Sequence, residues 1–372
     1  MTTFIPVNEP WLDGNERKYL NECLDTGWIS SEGPFVRKFE ELFAARVGRK
    51  HGIAVCNGSA ALDAAVAALG VGPGDEVILP TFTIISCAAA IVRAGAIPVV
   101  VDCDLQTWNM EVREIEAKIT SKTKAIMVVH IYGLPVDMEP IVALSLKYGL
   151  KIIEDAAEAH GLYYKGKSCG SFGDISTFSF YPNKLVTTGE GGMVLTDDDD
   201  LAARCRSLRN LCFQAKRRFV HEELGWNFRM SNVQAALGVA QLERLDEFVV
   251  RKKRMGKHYM ELLSGIPGIR LPLHETKYAE NIYWVYGIVL GDEIPFDAKE
   301  AMKRFAQHQI GTRPFFWPIH EQPVFRKMGL FEDVSCPVAE RIARRGFYIP
   351  SGVGLTDEQM KRVAEIAIRI LR

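Results

Sequence analysis

The chain has 372 residues, 48% of them apolar and 24% charged, with a formal net charge of −1. That length can bury a large core and points to more than one domain. The near-zero charge excludes a global electrostatic case for binding nucleic acid or a membrane surface.

The first twenty residues, MTTFIPVNEPWLDGNERKYL, lack a basic start and a long apolar core, so no secretory signal is read there. They form an irregular arm that enters a helix over about 14–26. Trp28-Ile29-Ser30-Ser31-Glu32-Gly33-Pro34 reads as a loop with an exposed aromatic and hydroxyls. An amphipathic helix follows, with Phe35, Val36, Phe39, Leu42 and Phe43 at the helical period.

An α/β core starts at Gly52. The strand Ile53–Cys56 runs through Asn57-Gly58-Ser59 into an alanine-rich helix ending near Leu69. The first N–H groups of that helix suit a phosphate. Alternatively, Asn57 or Ser59 only caps it. The pattern is neither GxGxxG nor a Walker loop, which weighs against a dinucleotide-dependent oxidoreductase. The most apolar stretch, Val77 to Val92, is interrupted by Pro80, Thr81, Thr83 and Ser86. It falls short of the roughly 20 apolar residues a membrane span needs, and a buried strand and helix explain it. Phe82 reads either as core or as a ring that stacks on a flat ligand. Further strands at 97–101, 124–130 and 151–154 alternate with helices at 112–119 and 138–148. This implies a largely parallel, buried sheet, whose ligands bind at the carboxyl ends of its strands.

Asp155 ends one such strand. It reads either as the cap of a short helix over 156–160 or as the charged partner of a heteroaromatic nitrogen. Lys184 stands between a strand, Ile175 to Phe180, and a glycine-rich turn, Gly189 to Gly192. A lone lysine in a loop is ordinarily a solvated charge. A lysine that bonds an aldehyde needs a sheltered site, a lowered pKa and neighbours that hold the rest of the ligand. Gly58-Ser59, Asp155 with Glu158 and His160, and Lys184 all follow strand ends, which implies one composite site.

Asp197 to Asp200 precede a helix over 201–211 and suit its positive end. The basic run Arg204, Arg206, Arg209, Lys216, Arg217 and Arg218 reads as a solvated face, or as a surface for a diphosphate or a partner's acidic face. From Ser231 or Asn232 as cap, one long helix is expected to reach about Leu263 and divide the chain into 1–249 and 250–372. The second part mixes strands at 283–290 and 311–315 with helices at 297–308 and 356–371. Eight cysteines without a Cys-x-x-Cys pair imply reduced thiols in a cytoplasmic protein. The histidines show no ligand spacing, so no metal is expected.

Six strings occur in consistent order over nearly the whole chain: NGSAAL (57–62), PTFT (80–83), VHIYGLPVDM (129–138), IIEDAAEAHG (152–161), GDISTFSFYPNKLVTTGEGGM (173–193) and WNFRMSNVQAALGVAQLE (226–243). Together they resemble the sugar-nucleotide aminotransferases, the DegT/DnrJ/EryC1/StrS family. The resemblance implies an α/β protein of aminotransferase fold type I. Residues 1–249 would form an N-terminal arm and a large cofactor-binding domain with a mostly parallel sheet. Residues 250–372 would form a smaller α+β domain. It implies pyridoxal 5′-phosphate as cofactor, with Lys184 as its covalent anchor and proton shuttle. Asp155 would pair with the ring nitrogen, Phe82 would stack on the ring, and Glu158 would lie near the ring hydroxyl. Gly58, Ser59 and Ser179 would hold the phosphate, and Asn227 would reach the phosphate in a neighbouring subunit, which implies a homodimer with shared active sites.

Some relatives carry histidine in place of the lysine and dehydrate their substrates. This chain keeps Lys184, and with Asp155 and Ser179 it also argues against a non-catalytic, sugar-binding relative. NLCFQAKRRFVHEELGWNFRMSN (210–232) and RPFFWPIHEQP (313–323) resemble members that move an amino group from L-glutamate to C4 of GDP-4-keto-6-deoxymannose, for O-antigen or other surface polysaccharide. UDP- or dTDP-linked keto sugars are the alternative. By position, Trp28, Ser30, Ser31, Asn183, Arg217, Arg229, Trp317 and His320 are the expected substrate contacts.

Overall fold

In a computed structural model that describes residues 3–214 and 216–371, the apolar runs of the first half become strands buried on both faces. Ile53, Ala54, Val77, Ile78, Leu79, Ala125 to Val128 and Ile153 are wholly inaccessible to solvent. Strands this apolar need helices on both sides, as in a parallel sheet. Seven strands line up in the order His51–Val55, Gly192–Thr196, Ile175–Ser179, Lys151–Asp155, Thr123–Val129, Glu76–Pro80 and Ile97–Val101. Gly192–Thr196 alone among them runs against its neighbours. The architecture is therefore α/β with a mostly parallel sheet.

A second, four-stranded antiparallel sheet follows in the order Ile269–Arg270, Tyr286–Leu290, Gly346–Ile349 and Arg313–Pro314. Helices Leu245–Leu263, Ala298–Gln307 and Asp357–Leu371 enclose a separate apolar cluster with it, centred on Tyr259, Phe305 and Phe347. Helix Leu245–Leu263 serves both cores: Leu245 and Phe248 pack in the first, Met255, Tyr259 and Leu263 in the second. Trp284, Phe315, Ile319 and Phe325 reach back into the first core, so the two regions share an apolar seam.

Two expectations are corrected. The single helix from Ser231 to Leu263 is two, Asn232–Leu242 and Leu245–Leu263. Ser231 caps the first in a capping box with Gln234. Arg244 leaves helical geometry (φ −114°, ψ 7°) at the break, and its guanidinium bonds Asp13 and Glu247. The helix foreseen over 112–119 is a short 3₁₀ turn, Val112–Glu114, followed by four helical residues. Among the described residues, no helix is long and apolar enough to cross a membrane.

Candidate active site

Strand register brings the chemistry together. Asp155 lies beside Thr177, Ser179 beside Gly192, and Gly192 beside Val55. The segments leaving these strand ends enclose a cavity of about 590 Å³, lined by Asn57, Gly58, Ser59, Asp155, Glu158, Thr177, Ser179, Asn183 and Lys184. Glycine is required at 58, where a Cβ would sit 2.7 Å from Ser179 Cβ. The cap of helix Gly58–Ala68 is Asn57, whose side chain accepts the Ala60 N–H at 2.8 Å. Ser59 instead bonds Ser86 at 2.7 Å. Among the described residues, no side chain accepts the N–H of Gly58 or Ser59, so the positive end of the helix is open to an anion.

Lys184 is sheltered, with 11% of its side chain exposed. Its Nζ lies 3.7 Å from Glu158 Oε1 and 3.9 Å from the centre of the Trp284 ring. Burial pulls its pKa down, and the charges of Glu158 and Asp155 oppose that pull. Burial pushes Glu158 up to about 7 against the attraction of Lys184. The other Glu158 oxygen accepts the Tyr132 N–H at 2.8 Å. Tyr132 holds φ at 56°, a left-handed conformation unusual for a side chain of its size.

Asp155 is raised by burial, with one oxygen accepting the Ala157 N–H at 3.0 Å and the other the Cys87 S–H at 3.2 Å. No helix follows it: residues 156–161 form turns, so the capping alternative is set aside. His160 stands behind the site, pushed down to about 3 by burial and packed against Phe43, Phe178 and Phe180. The result is an amine drawn toward its neutral, nucleophilic form, with a carboxyl group 3.7 Å away, a separation that one water can bridge.

The donor set fits the cofactor that the resemblance implies. The helix end with Ser59 and Ser179 suits a phosphate, Asp155 a ring nitrogen and Lys184 an aldehyde. Two polar atoms of cavity-lining residues, Thr177 Oγ1 and Asn183 Oδ1, are buried with no partner among the described residues. Such atoms are costly unless a ligand or water meets them.

Other expected residues lie elsewhere. Phe82 does not line the cavity; it is fully buried against Tyr132, Phe315 and Phe316. Ile84, two residues on, lines the cavity and stays 43% exposed despite being apolar. Trp28, Ser30, Ser31 and Arg229 line a separate depression of about 460 Å³, with Asn210, Phe213 and Arg218. Asn227 is exposed and lines neither. Arg217 is exposed and paired with Glu222. Trp317 is half-exposed under Arg344 and lies outside the cavity.

His320 is buried, with Nδ1 on Thr81 at 2.6 Å and Nε2 on Glu340 at 3.0 Å, so it has no nitrogen free for a substrate. Of the basic run, Arg209 is bound to Glu40 and the Ala54 carbonyl, and Arg204 to Glu223. Among the described residues, two clusters have potential metal-ligand atoms, His130-Glu154-Cys169 and His320-Glu321-Glu340. In the first, the carboxylate already receives the N–H groups of Gly170 and Phe172 and the His130 ring. Tyr181, Glu190, Trp284, Phe316 and Tyr348 also line the cavity, and the sequence alone does not point to them.

The family described as the DegT/DnrJ/EryC1/StrS aminotransferase family matches residues 10–367. The chain is 43% identical over 367 residues to a GDP-perosamine synthase of Caulobacter vibrioides, covering 99% of this chain and 98% of the relative. It is also 43% identical over 362 residues to a GDP-perosamine synthase of Escherichia coli O157:H7, covering 97% of each. Among solved structures, the aminotransferase TlmJ from Streptoalloteichus hindustanus is similar with a TM-score of 0.92 at 30% identity, covering 99% of this chain and 98% of TlmJ. The sheet and helices described above are those of aminotransferase fold type I.

Proposed function

The chain belongs to the DegT/DnrJ/EryC1/StrS aminotransferase family, and from that premise we propose that it moves an amino group from L-glutamate to C4 of GDP-4-keto-6-deoxymannose, giving GDP-perosamine. The observation that carries this reading is the sheltered Lys184 amine beside Glu158, in a cavity that also holds Asp155 and a helix start at which, among the described residues, no side chain accepts the N–H of Gly58 or Ser59. The two GDP-perosamine synthases, matched over nearly their whole length, support the choice of sugar nucleotide.

Bound pyridoxal 5′-phosphate supplies an aldehyde that takes up amines and a ring that spreads negative charge. Gly58 and Ser59, at the helix start, and Ser179 receive its phosphate. Asp155, its oxygens oriented by Ala157 and Cys87, holds a proton on the ring nitrogen. Lys184 Nζ would hold the aldehyde and is the amine placed to move a proton in the cavity. Glu158 Oε1 stands 3.7 Å from that amine. Ile84 lines the cavity and Phe82 does not, so Ile84 would supply an apolar wall for the ring.

The same proposal includes a homodimer in which Asn227, Trp28, Ser30, Ser31 and Arg229 serve the cavity of a second copy. Their position outside the Lys184 cavity supports this. So do the solvent-exposed Phe219, Leu224 and Trp28 on the adjoining segments, an apolar surface that suits a covered interface. Eight unpaired cysteines support a reducing, cytoplasmic setting, where the product would feed O-antigen synthesis. We further propose that the chain divides near residue 250, inside the helix that serves both cores.

The test is to incubate the cofactor-loaded protein with glutamate and GDP-, UDP- or dTDP-linked 4-keto-6-deoxy sugars, then identify aminated products by mass spectrometry. Amination of the GDP sugar is expected. Amination of a UDP or dTDP sugar with the GDP sugar untouched would overturn the assignment.

A further inference from the structure

Lys252 is fully buried on helix Leu245–Leu263, and among the described residues no carboxylate pairs with it. An ammonium without a counter-ion is costly to bury, so its position calls for a reason. Its Nζ donates to two backbone carbonyls, those of Trp284 (2.7 Å) and Ser351. Burial pushes its pKa down to about 7.

Both carbonyls lead to the same place. The Trp284 indole lies over Lys184 Nζ and donates to the Asn183 carbonyl at 2.8 Å. The Ser351 N–H donates to the Val7 carbonyl, and the next residue, Asn8, donates its side chain to the Pro182 carbonyl at 3.1 Å. Two chains of contacts therefore run from one ammonium to the peptide groups just before Lys184. One goes through the C-terminal region and the other through the N-terminal arm.

The first chain has strain to hold. Tyr283, next to Trp284, has φ of 51° and lies over Gly256, where a Cβ would come within 2.2 Å of its ring. A backbone held in that conformation persists only when its surroundings fix it. Lys252, one turn before Gly256, grips the next carbonyl.

We propose that Lys252 is a positioning residue for Lys184, fixing the Pro182-Asn183-Lys184 segment and the Trp284 wall through the two carbonyls it binds. This rests on the reading of Lys184 as the reacting amine, and it assigns Lys252 no contact with substrate or cofactor.

The test reads Lys184 directly, without the reaction. In cofactor-free protein, the pH dependence of acylation of Lys184 by limiting acetic anhydride, followed by peptide mass spectrometry, gives the pKa of its amine. In Lys252→Met that pKa should rise toward the ordinary lysine value as the Trp284 wall loosens and water enters. In the loaded enzyme, kcat should fall about tenfold with KM for the sugar little changed, as expected for a misplaced reacting group. Tyr259→Phe, which removes a bond from the same helix to the Pro350 carbonyl, should leave the Lys184 pKa unchanged.

Trp284→Phe and Asn8→Ala cut the two chains separately without touching the buried lysine. Each should raise the Lys184 pKa in part, which keeps the test open if Lys252→Met does not fold. An unchanged Lys184 pKa in a folded Lys252→Met protein, or in both Trp284→Phe and Asn8→Ala, would overturn the proposal. Because the labelling needs no turnover, that failure is distinct from the absence of amino transfer in the wild-type protein.

Discussion

The cavity around Lys184 and the depression around Trp28 both hold residues that the sequence singles out, yet they are furnished differently. The first gathers buried ionisable groups in contact: Lys184 with Glu158, Asp155 with Cys87, and an unpartnered Thr177 hydroxyl. The second offers exposed groups, Trp28 and Ser30, with Arg229 tied to Asn210 and Arg218 set over Phe213. Burial shifts pKa values and creates reactivity, as it does for Lys184 and Glu158. Exposed aromatic and polar groups do neither until something covers them. On the proposed function, the contrast separates the reacting cavity from a surface that a second copy would cover.

The largest expected effect breaks the first region alone. Lys184→Ala should lower amination by roughly 10³-fold or more while the protein stays folded, measured as initial rate against the wild type. If the proposed homodimer shares its sites, Asn227→Asp, which places a negative charge where a second copy's phosphate would lie, should also inactivate the protein. Mixing the two variants after partial denaturation should restore activity, since one site of each mixed dimer then carries both lesions and the other none. Absence of recovery in mixed dimers would show that the two regions serve the same chain.

A smaller effect separates two neighbours in one turn. Ile84→Ala should weaken cofactor binding by about tenfold in fluorescence titration, having removed an apolar wall of the cavity. Phe82→Leu should leave that affinity unchanged and lower stability by about 1 kcal/mol, since its ring fills core.

The smallest concerns pH. Burial raises Glu158 to about 7 in the folded cofactor-free protein, above its ordinary carboxyl value. The folded state then binds the extra proton, so this contribution is full below the ordinary value and is lost as pH rises through 7. Glu158→Gln should remove that loss. The wild type should fall relative to the variant by on the order of 1 kcal/mol between pH 5 and 8, read from denaturant midpoints.

Much of the fold was legible because its signals are local. Short β-branched apolar runs such as Val77 to Leu79 and Ile152-Ile153, alternating with helical segments, point to strands of a covered sheet, and they are such strands. Helix Met138–Tyr148 has the bounds its periodicity gives. The convergence of Ser59, Asp155 and Lys184 was legible too, since parallel strands present their carboxyl ends on one edge. What stayed hidden depends on distant contacts. Trp284, Phe316 and Tyr348 come to the cavity from the C-terminal region; the segments of Trp284 and Tyr348 carry no sign of it, and RPFFWPIHEQP points to Trp317 and His320 where Phe316 is the residue that lines the cavity.

Phe82 looks like a ring-stacking residue until Phe315 and Phe316 arrive to bury it. Ile84, an apolar residue starting a helix with Ile85, gave the one local hint, an aliphatic pair at an otherwise polar strand end. His320 reads as a ligand contact, and only the fold places Thr81 and Glu340 on its two nitrogens. The helix break near Arg244 had no proline or glycine to announce it; Asp13, on the distant N-terminal arm, holds the turned residue.

The most direct measurement is to load the protein with pyridoxal 5′-phosphate, reduce it with borohydride, digest it and locate the added mass. The account predicts a single modified peptide carrying the cofactor on Lys184, with Lys252 unmodified. Cofactor fixed to another lysine, or to none, would contradict it.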